Sequence, residues 1–243
     1  MKKALFCWSG GKDSAMALYQ VRQEKEYDVM YLLTTINENF KRVSMHGVRE
    51  EMLELQAAAT GIPLIKMYVK DGNNDEYERN MEKILLDLKK EGIHHVIFGD
   101  IFLEDLRRYR EKNMEKVQMK VVFPLWKKNT TELMESFFKL KFRTITCCVN
   151  DAYLSEDQVG AEIDEAFIRN LPPEVDPCGE NGEFHTFCFD GPVFLHPVSF
   201  TLGEKVYRPL EIKTDDSVCT SESKTKGFWF CDIIPAPDGT KTV

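Results

Sequence analysis

A glycine-rich loop stands between a short apolar run and an amphipathic segment near the first residue of the chain. The run Ala4 to Trp8 predicts a strand, and the residues after position 14 follow a helical pattern. The loop between them reads Ser9, Gly10, Gly11, Lys12, Asp13 and Ser14. Adjacent glycines let the backbone turn sharply, so that its N–H groups and the positive end of the next helix face one anion. The sequence therefore predicts a strand, loop and helix that bind a phosphate chain.

The side chains of this loop fit the same interpretation. Lys12 adds a cation and the two serines add hydroxyl donors, while Asp13 can cap the helix or hold Mg²⁺. No window of the chain has the spacing of a Walker A loop, which disfavours a kinase or a GTPase. The motif SGGxDS instead resembles the PP-loop of ATP pyrophosphatases, which implies cleavage of ATP between its α and β phosphates. A glycine turn without a ligand explains only part of the motif.

Composition excludes several classes of protein. The chain has 243 residues, enough for a substantial core, and a formal net charge of −8, which argues against nucleic acid as a general partner. No run approaches the roughly 20 apolar residues of a membrane helix. The cysteines are odd in number and lie mainly in apolar runs, as at Cys7, Cys147 and Cys148. This usage predicts reduced thiols and a cytoplasmic enzyme without disulfides.

Alternating strand and helix patterns predict an α/β fold for residues 1–150, with a doubly wound parallel sheet and helices on both faces. After the first strand, the predicted strands are Val29 to Thr34, Leu64 to Val69, His95 to Phe98, Val121 to Phe123 and Thr144 to Val149. Helices are expected around Met52, around Met81 and after Asn129, with Gly61 and Gly92 as C-caps. We expect this first domain to bind the nucleotide.

The pattern changes after Asn150. A helix through Val159, Ile163 and Phe167 is expected, followed by a proline-rich stretch. Antiparallel strands are predicted at Val193 to Phe200, Val206 to Ile212 and Phe228 to Ile234. We therefore expect a smaller α+β substrate domain over residues 151–243.

Ligands of doubly wound sheets lie beyond the carboxyl ends of the strands, so polar loops at those ends are candidate sites. Gly99 to Arg110 combines carboxylates with guanidinium groups. Asp100 and Glu104 are candidates for catalysis, with Asp100 and Asp13 as ligands of Mg²⁺. A solvated helix with salt bridges explains the same residues equally well. Near Arg42, Ser44 and His46 are expected to cap a helix, with Arg49 either directed at phosphate or exposed at the surface.

A second polar loop covers residues 176–186. Glu180, Glu183 and His185 are its candidates for general acid and base chemistry on an amine. A rival interpretation makes Cys178 a nucleophile with His185 as its base. Zinc bound by Cys178, His185 and Cys188 is disfavoured, because the chain has no Cys-x-x-Cys pair to complete the site.

Four segments together resemble the diphthine ammonia ligase family, in a bacterial version. They are SGGKDS, the GDI and EDL stretch from Gly99 to Leu106, Pro124 to Trp126, and CGENGEFHTF from Cys178 to Phe187. The resemblance implies a HUP-like amino-terminal domain, with ATP bound at Ser9 to Ser14. It implies that ATP adenylates a carboxylate, diphthine on an elongation factor in the family, and that ammonia displaces AMP.

The sequence leaves other functions and the assembly open. A PP-loop tRNA thiolase would need a basic RNA-binding face and a catalytic cysteine pair, and both the charge and the core-like cysteines weigh against it. A sensor that holds ATP or AMP without turnover is the third interpretation. The acceptor is a small molecule or a modified protein side chain, and the oligomeric state is open, with a homodimer among the alternatives.

Overall fold

The first strand lies inside a mostly parallel sheet. The computed structural model describes residues 1–70, 74–210 and 225–236. Strand β1 (Lys2–Cys7) pairs in parallel with β2 (Tyr27–Asn37) and with β5 (His95–Ile97). Beyond them β4 (Leu64–Val69) pairs in parallel with β2, and β6 (Lys120–Val122) with β5, while β3 (Arg42–Val43) turns back antiparallel to the end of β2. The predicted parallel sheet is confirmed for β1, β2, β4, β5 and β6, whereas β3 was not predicted.

Helices cover both faces of this sheet, as predicted. Successive residues of β1 point to opposite faces, so Phe6 belongs to one buried cluster and Leu5 to another. The Phe6 cluster includes residues of α1 (Lys12–Glu24), α2 (Glu50–Thr60) and α5 (Thr130–Lys139), and the Leu5 cluster includes residues of α3 (Asn74–Lys90) and α4 (Glu104–Lys116). Gly61 caps α2 in the left-handed conformation, and the side chain of Asn129 caps α5 by accepting from the N–H of Glu132.

A second, antiparallel sheet contains β7 (Arg143–Asn150), β8 (Phe184–Asp190), β9 (Phe200–Pro209) and β10 (Gly227–Pro235), in the order β8-β7-β10-β9. The predicted strand at residues 144–149 is present, but its assignment to the parallel sheet was wrong. An apolar run buried on both faces looks the same in either kind of sheet. The division of the chain at residue 150 stays a prediction, and β7 of the second sheet ends at that residue.

Several expectations beyond residue 150 were wrong. The helix through Val159 and Ile163 is replaced by a 3₁₀ turn (Glu156–Gln158) and the short α6 (Glu165–Arg169). The reason is that the backbone of residues 160–163 bonds to β7 instead of to itself. Residues 193–199 form no strand, and β9 begins at Phe200. Strand β8 was missed, and Ile212 lies outside the described residues.

No helix among the described residues is both long and apolar enough to cross a membrane. The side chains of the candidate site lie where the two sheets meet.

An arginine pair joins the two sheets at their contact. Arg42 donates to Oδ1 of Asp232 at 2.8 Å, and Arg49 donates from Nη2 to Oδ2 at 2.7 Å. Arg42 belongs to β3 and Asp232 to β10, so one carboxylate holds the first sheet against the second. The hydrogen bonds from Arg49, followed by those from Arg42, outweigh partial burial and lower the pKa of Asp232 to about 2.

Replacement of this carboxylate should reduce stability in a pH-dependent way. A depressed carboxyl pKa stabilises the folded protein above the ordinary value near 3.8, and this contribution is lost as the pH falls towards 2. We expect Asp232→Asn to lower the free energy of unfolding by at most about 2 kcal/mol at neutral pH. Urea denaturation at several pH values measures this loss, which should shrink as acid protonates the wild-type carboxylate. Asp105→Asn is the control, because its ion pair with Arg108 is exposed; equal losses would contradict the expectation.

Candidate active site

A cavity of about 1020 Å³ lies between the parallel sheet and the second sheet. Its walls are the loop after β1, the turn between β3 and α2, the end of β5, the loop before β8, and residues of β9 and β10. Small-molecule sites are usually clefts of roughly 300–1,000 Å³. The cavity therefore has room for a nucleotide together with a second substrate. Its position at the carboxyl ends of β1 and β5 agrees with the predicted location of the site.

The predicted phosphate loop, residues 9–14, lies at one end of this cavity, where Ser9, Lys12, Asp13 and Ser14 line the wall. Gly11 is the N-cap of α1 and has no side chain to cap it, and the N–H of Lys12 at the start of the helix donates to the hydroxyl of Thr186 at 3.0 Å. The hydroxyl of Ser14 donates to the carbonyl oxygen of Gly11 at 2.8 Å, and the amide of Gly11 donates to the hydroxyl of Ser9 at 3.2 Å. Asp13 lies in the first turn of α1 and does not cap it.

Gln56 of α2 fixes the backbone of this loop, a role that no sequence motif suggested. Its amide nitrogen donates to the carbonyl oxygen of Gly10 at 2.9 Å and to that of Cys188 at 2.6 Å. Its amide oxygen accepts from the indole N–H of Trp8 at 3.0 Å. The N–H of Cys188 also donates to the oxygen of Gly10, at 2.9 Å, so β8 directly supports the loop. A buried glutamine inside an apolar helix face was the available signal.

Lys12 is almost fully buried, with 2% of its side chain exposed. Its ammonium donates to both carboxylate oxygens of Asp13 at 2.8 Å and also to the carbonyl oxygen of Cys178. Burial is the largest influence and opposes the charge of Lys12, but attraction to Asp13 and to the second loop, together with the hydrogen bond to Asp13, outweighs it and raises the pKa of the amine. Lys12 is therefore a fixed cation, while the carboxylate of Asp13 keeps 30% of its surface accessible.

Asp100 lines the cavity, yet it is engaged by a neighbouring cation. Its Oδ2 lies 2.5 Å from Nε of Arg110, and its Oδ1 accepts from Nη2 at 3.0 Å. The guanidinium of Arg110 also lies 4.2 Å from the ring centre of Phe98. Both carboxylates are paired with a cation, since Lys12 bonds to Asp13 as Arg110 bonds to Asp100. The side chain of Asp13 is 30% exposed and that of Asp100 is 12% exposed, so Asp13 is the more accessible place for a divalent cation.

Glu104 lies apart from the other candidates. It begins α4, has 56% of its side chain exposed, and lies 3.4 Å from the ammonium of Lys127. It does not line the cavity. The sequence allowed either a catalytic role or a solvated, salt-bridged helix for residues 99–110. Glu104 fits the solvated helix, whereas Asp100 lines the cavity.

The two glutamates of the second loop have different environments. Glu180 lines the cavity, where burial, followed by repulsion from Asp13, raises its pKa to about 8. Glu183 is fully buried, and its carboxylate accepts from the N–H of Asp176 at 3.0 Å and from the N–H and the side-chain amide of Asn181 at 2.8 and 3.0 Å. Glu180 is thus placed to meet a substrate, whereas Glu183 folds the loop that carries it.

His185 lines the cavity together with His46, a residue expected only to cap a helix. The two rings are 4.8 Å apart between centres and tilted by 35°. Burial is the main cause that lowers the pKa of His185 to about 3 and that of His46 to about 4. The capping prediction was wrong, because the N-cap of α2 is Arg49, without a side-chain capping bond.

The geometry gives little support to Cys178 as a nucleophile or as a zinc ligand. Cys178 is buried, burial raises the pKa of its thiol, and Sγ lies 3.5 Å from the carbonyl oxygen of Thr130. A thiol with a raised pKa is a poor nucleophile. No cluster of three metal-ligating side chains occurs within residues 1–70, 74–210 and 225–236.

Comparison with known proteins assigns the family. Residues 1–121 match the model of the diphthamide synthase N-terminal domain, and residues 129–213 match that of the C-terminal domain. The chain belongs to the diphthamide synthase family. Diphthine–ammonia ligase of Mus musculus is 26% identical over 221 residues, which cover 82% of each chain. The enzyme of Bos taurus is 26% identical over 176 residues, 65% of this chain and 66% of the relative.

This membership confirms the family suggested by the four sequence segments. As a member, the chain is an ATP-dependent amide ligase, an enzyme that forms a carbon–nitrogen bond. Both matched domains contribute to the cavity: the phosphate loop lies in the first, and Glu180 and His185 lie in the second.

A methyl group at Gly10 should disturb nucleotide binding. The residue has a φ of +80°, and an added Cβ would lie 2.6 Å from Oε1 of Gln56. We expect Gly10→Ala to displace Gln56 and to weaken ATP affinity at least about tenfold. Calorimetric titration with a non-hydrolysable ATP analogue measures the loss.

Gly92→Ala is the matched control for this change. Its φ of +82° carries the same backbone strain, but the space around its Cβ is open and the residue lies outside the cavity. An equal loss of affinity in both variants would show that strain alone, and not the contact with Gln56, is responsible.

Exchanging each glutamate for glutamine should separate the two roles. Glu183→Gln turns one acceptor oxygen into a donor that faces N–H groups, so we expect a loss of about 1–3 kcal/mol in unfolding free energy. Glu180→Gln should leave stability nearly unchanged and lower turnover. Chemical denaturation and amide formation measured on both variants test this separation, and a destabilised Glu180→Gln protein with normal turnover would refute it.

Proposed function

We propose that the chain adenylates an acceptor carboxylate with ATP and that ammonia then displaces AMP to give an amide. The single observation that carries this proposal is the continuity of the cavity from the phosphate loop to Glu180 and His185 of the second loop. Phosphate binding and groups suited to an amine substrate therefore share one space. The acceptor we propose is diphthine on a protein, or a carboxylate of similar surroundings, because the curated relatives are named for diphthine.

The loop residues have defined roles in this proposal. The backbone of Gly10 and Gly11, the hydroxyls of Ser9 and Ser14 and the start of α1 face the phosphates, as in a PP-loop of a HUP-like domain. Lys12 supplies a fixed positive charge beside them. The attacked α-phosphate gains negative charge in the transition state, and a preorganised cation stabilises that charge more than mobile water does.

Magnesium fits the same end of the cavity. Asp13 presents a partly accessible carboxylate there, and Mg²⁺ is commonly held by one or two carboxylates together with substrate phosphates. Asp13 would hold the ion, whose charge would offset that of the polyphosphate. Repulsion from Asp13 helps to raise the pKa of Glu180, so a cation beside Asp13 would also reduce the repulsion between the two carboxylates.

Glu180 and His185 are the proposed groups for the amine half of the reaction. Both line the cavity beside the phosphate end, and Glu180 has a raised pKa near the working pH of an enzyme. Glu183 positions this loop without touching substrate. Asp100 holds Arg110, and we propose that this pair shapes the wall next to the nucleotide. The reduced cysteines support a cytoplasmic location, since the six that the structure describes are all free.

Product analysis tests the reaction. Purified protein is incubated with Mg²⁺-ATP and ammonium, alone, with an elongation factor that carries diphthine, and with a pool of small cellular carboxylates. AMP and pyrophosphate that rise with an acceptor are expected. ADP would refute the proposed mechanism, tRNA thiolation would require tRNA and a sulfur donor, and tight binding without cleavage would indicate a sensor.

Two carboxylate variants make this assay specific to the site. We expect Asp13→Asn to lower pyrophosphate formation on the order of a hundredfold, because Mg²⁺ would lose the carboxylate that we propose holds it beside the phosphates. Glu104→Gln should stay within about twofold of the wild type, since Glu104 is exposed and outside the cavity. A fully active Asp13→Asn enzyme would contradict the site.

A further inference from the structure

His46 lies directly against the phosphate loop. Its Cε1 atom is 3.0 Å from the position that a Cβ of Gly11 would occupy, so the glycine leaves room for the imidazole. The residue comes from the turn between β3 and α2, far from the loop in sequence, and it lines the cavity. The imidazole therefore lies beside the loop that we propose binds the phosphates.

One hydrogen bond fixes the tautomer of His46. Nδ1 lies 3.1 Å from the carbonyl oxygen of Thr186. A carbonyl oxygen only accepts, so Nδ1 carries the hydrogen and, in the neutral ring, Nε2 keeps a free lone pair. The hydroxyl of Thr186 accepts from the amide N–H of Lys12 at 3.0 Å. A single residue of β8 therefore positions both the imidazole and the start of α1.

The surroundings keep the two imidazoles neutral. Lys12 lines the same cavity and is a charged group that acts on both rings. Burial disfavours the charged form of each ring, and Lys12 adds repulsion to both. A second cation such as ammonium is disfavoured beside Lys12 for the same reason, while a small neutral donor of hydrogen bonds is not. Neutral ammonia has N–H groups for Nε2 and a lone pair for attack.

We propose that His46 binds the attacking ammonia and accepts its proton, and that His185 completes this nitrogen site. This inference rests on the proposed function, and it assigns a residue to the second step of that reaction, the attack of ammonia. The ammonia lone pair forms the new C–N bond at the acyl carbon, the bond from that carbon to the AMP oxygen breaks, and AMP leaves with the electron pair. The nitrogen proton passes to Nε2 of His46 and then to solvent.

A weak base is sufficient for this proton transfer. Nitrogen becomes strongly acidic once it has attacked the acyl carbon and carries a positive charge. A neutral imidazole can remove that proton even where burial makes the ring a weaker base than in water. A positioned base of this kind contributes on the order of 10²- to 10⁴-fold to a rate.

The test separates the two halves of the reaction. His46→Asn keeps an amide N–H to donate to Thr186 but lacks an acceptor where Nε2 lies. His196→Asn is the control, because His196 is exposed, lies outside the cavity and also places Nδ1 near a carbonyl oxygen, that of Pro197 at 3.2 Å. Isotope exchange between pyrophosphate and ATP, with the acceptor and without ammonium, reports adenylation. Amide formation with ammonium chloride reports the whole reaction.

We expect His46→Asn to exchange pyrophosphate within about twofold of the wild type and to form amide on the order of a hundredfold or more slowly. His46→Gln places an amide oxygen nearer the Nε2 position, so compared with His46→Asn it should lower the KM for ammonium without restoring kcat. His196→Asn should behave as wild type. Equal losses in exchange and amide formation would overturn the inference, as would a normal His46→Asn enzyme. A wild type that makes no AMP and pyrophosphate would instead overturn the proposed function and the inference with it.

A second measurement needs no acceptor. Nitrogen NMR of the imidazole rings should show His46 at neutral pH with hydrogen on Nδ1 and a bare Nε2. Hydrogen on Nε2, or a charged ring, would overturn the inference whatever the kinetics show. The His46→Asn spectrum assigns the signal.

Discussion

The buried ammonium of Lys12 is the constraint on which the rest of the site depends. A charge removed from water is costly unless it is paired and hydrogen-bonded. Lys12 obtains its partners from Asp13 and from the carbonyl oxygen of Cys178, which is 166 residues away in the chain. The loop before β8 must therefore close over the phosphate loop for the fold to form. Closure of this loop also builds the cavity, so stability and function use the same contact.

Preorganisation of the phosphate loop follows from this closure. The carbonyl oxygen of Gly10 accepts from Gln56 and from the backbone of Cys188, and the N–H of Lys12 donates to Thr186. These bonds fix a backbone that glycine would otherwise leave flexible. Donors held in place before the reaction stabilise developing charge without further reorganisation. The same β8 residue, Thr186, orients His46, which connects the nucleotide end of the cavity to the nitrogen end.

The local signals in the sequence were reliable where structure is decided by neighbouring residues. The strand, loop and helix of residues 2–24, the parallel strands β1, β2, β4, β5 and β6, and the caps Asn129 and Gly61 were predicted, because each depends on a short segment and its hydrogen bonds. Strand β7 was found but placed in the wrong sheet. The segment after Val159 was predicted to be a helix, but its backbone forms hydrogen bonds with β7. A local sequence pattern does not identify a hydrogen-bond partner in another segment of the chain.

For the site, the sequence determined which chemical groups are present: a phosphate loop, a carboxylate-rich second loop and a family resemblance that comparison confirmed. Only the tertiary structure decided which of them meet. It brought Lys12, Glu180 and His185 to one cavity, left Glu104 at the surface, and gave Glu183 to the folding of its own loop. It also added Gln56 and His46. The physical reason is that short motifs encode local backbone and chemistry, whereas burial, pKa and contact depend on residues far apart in the chain.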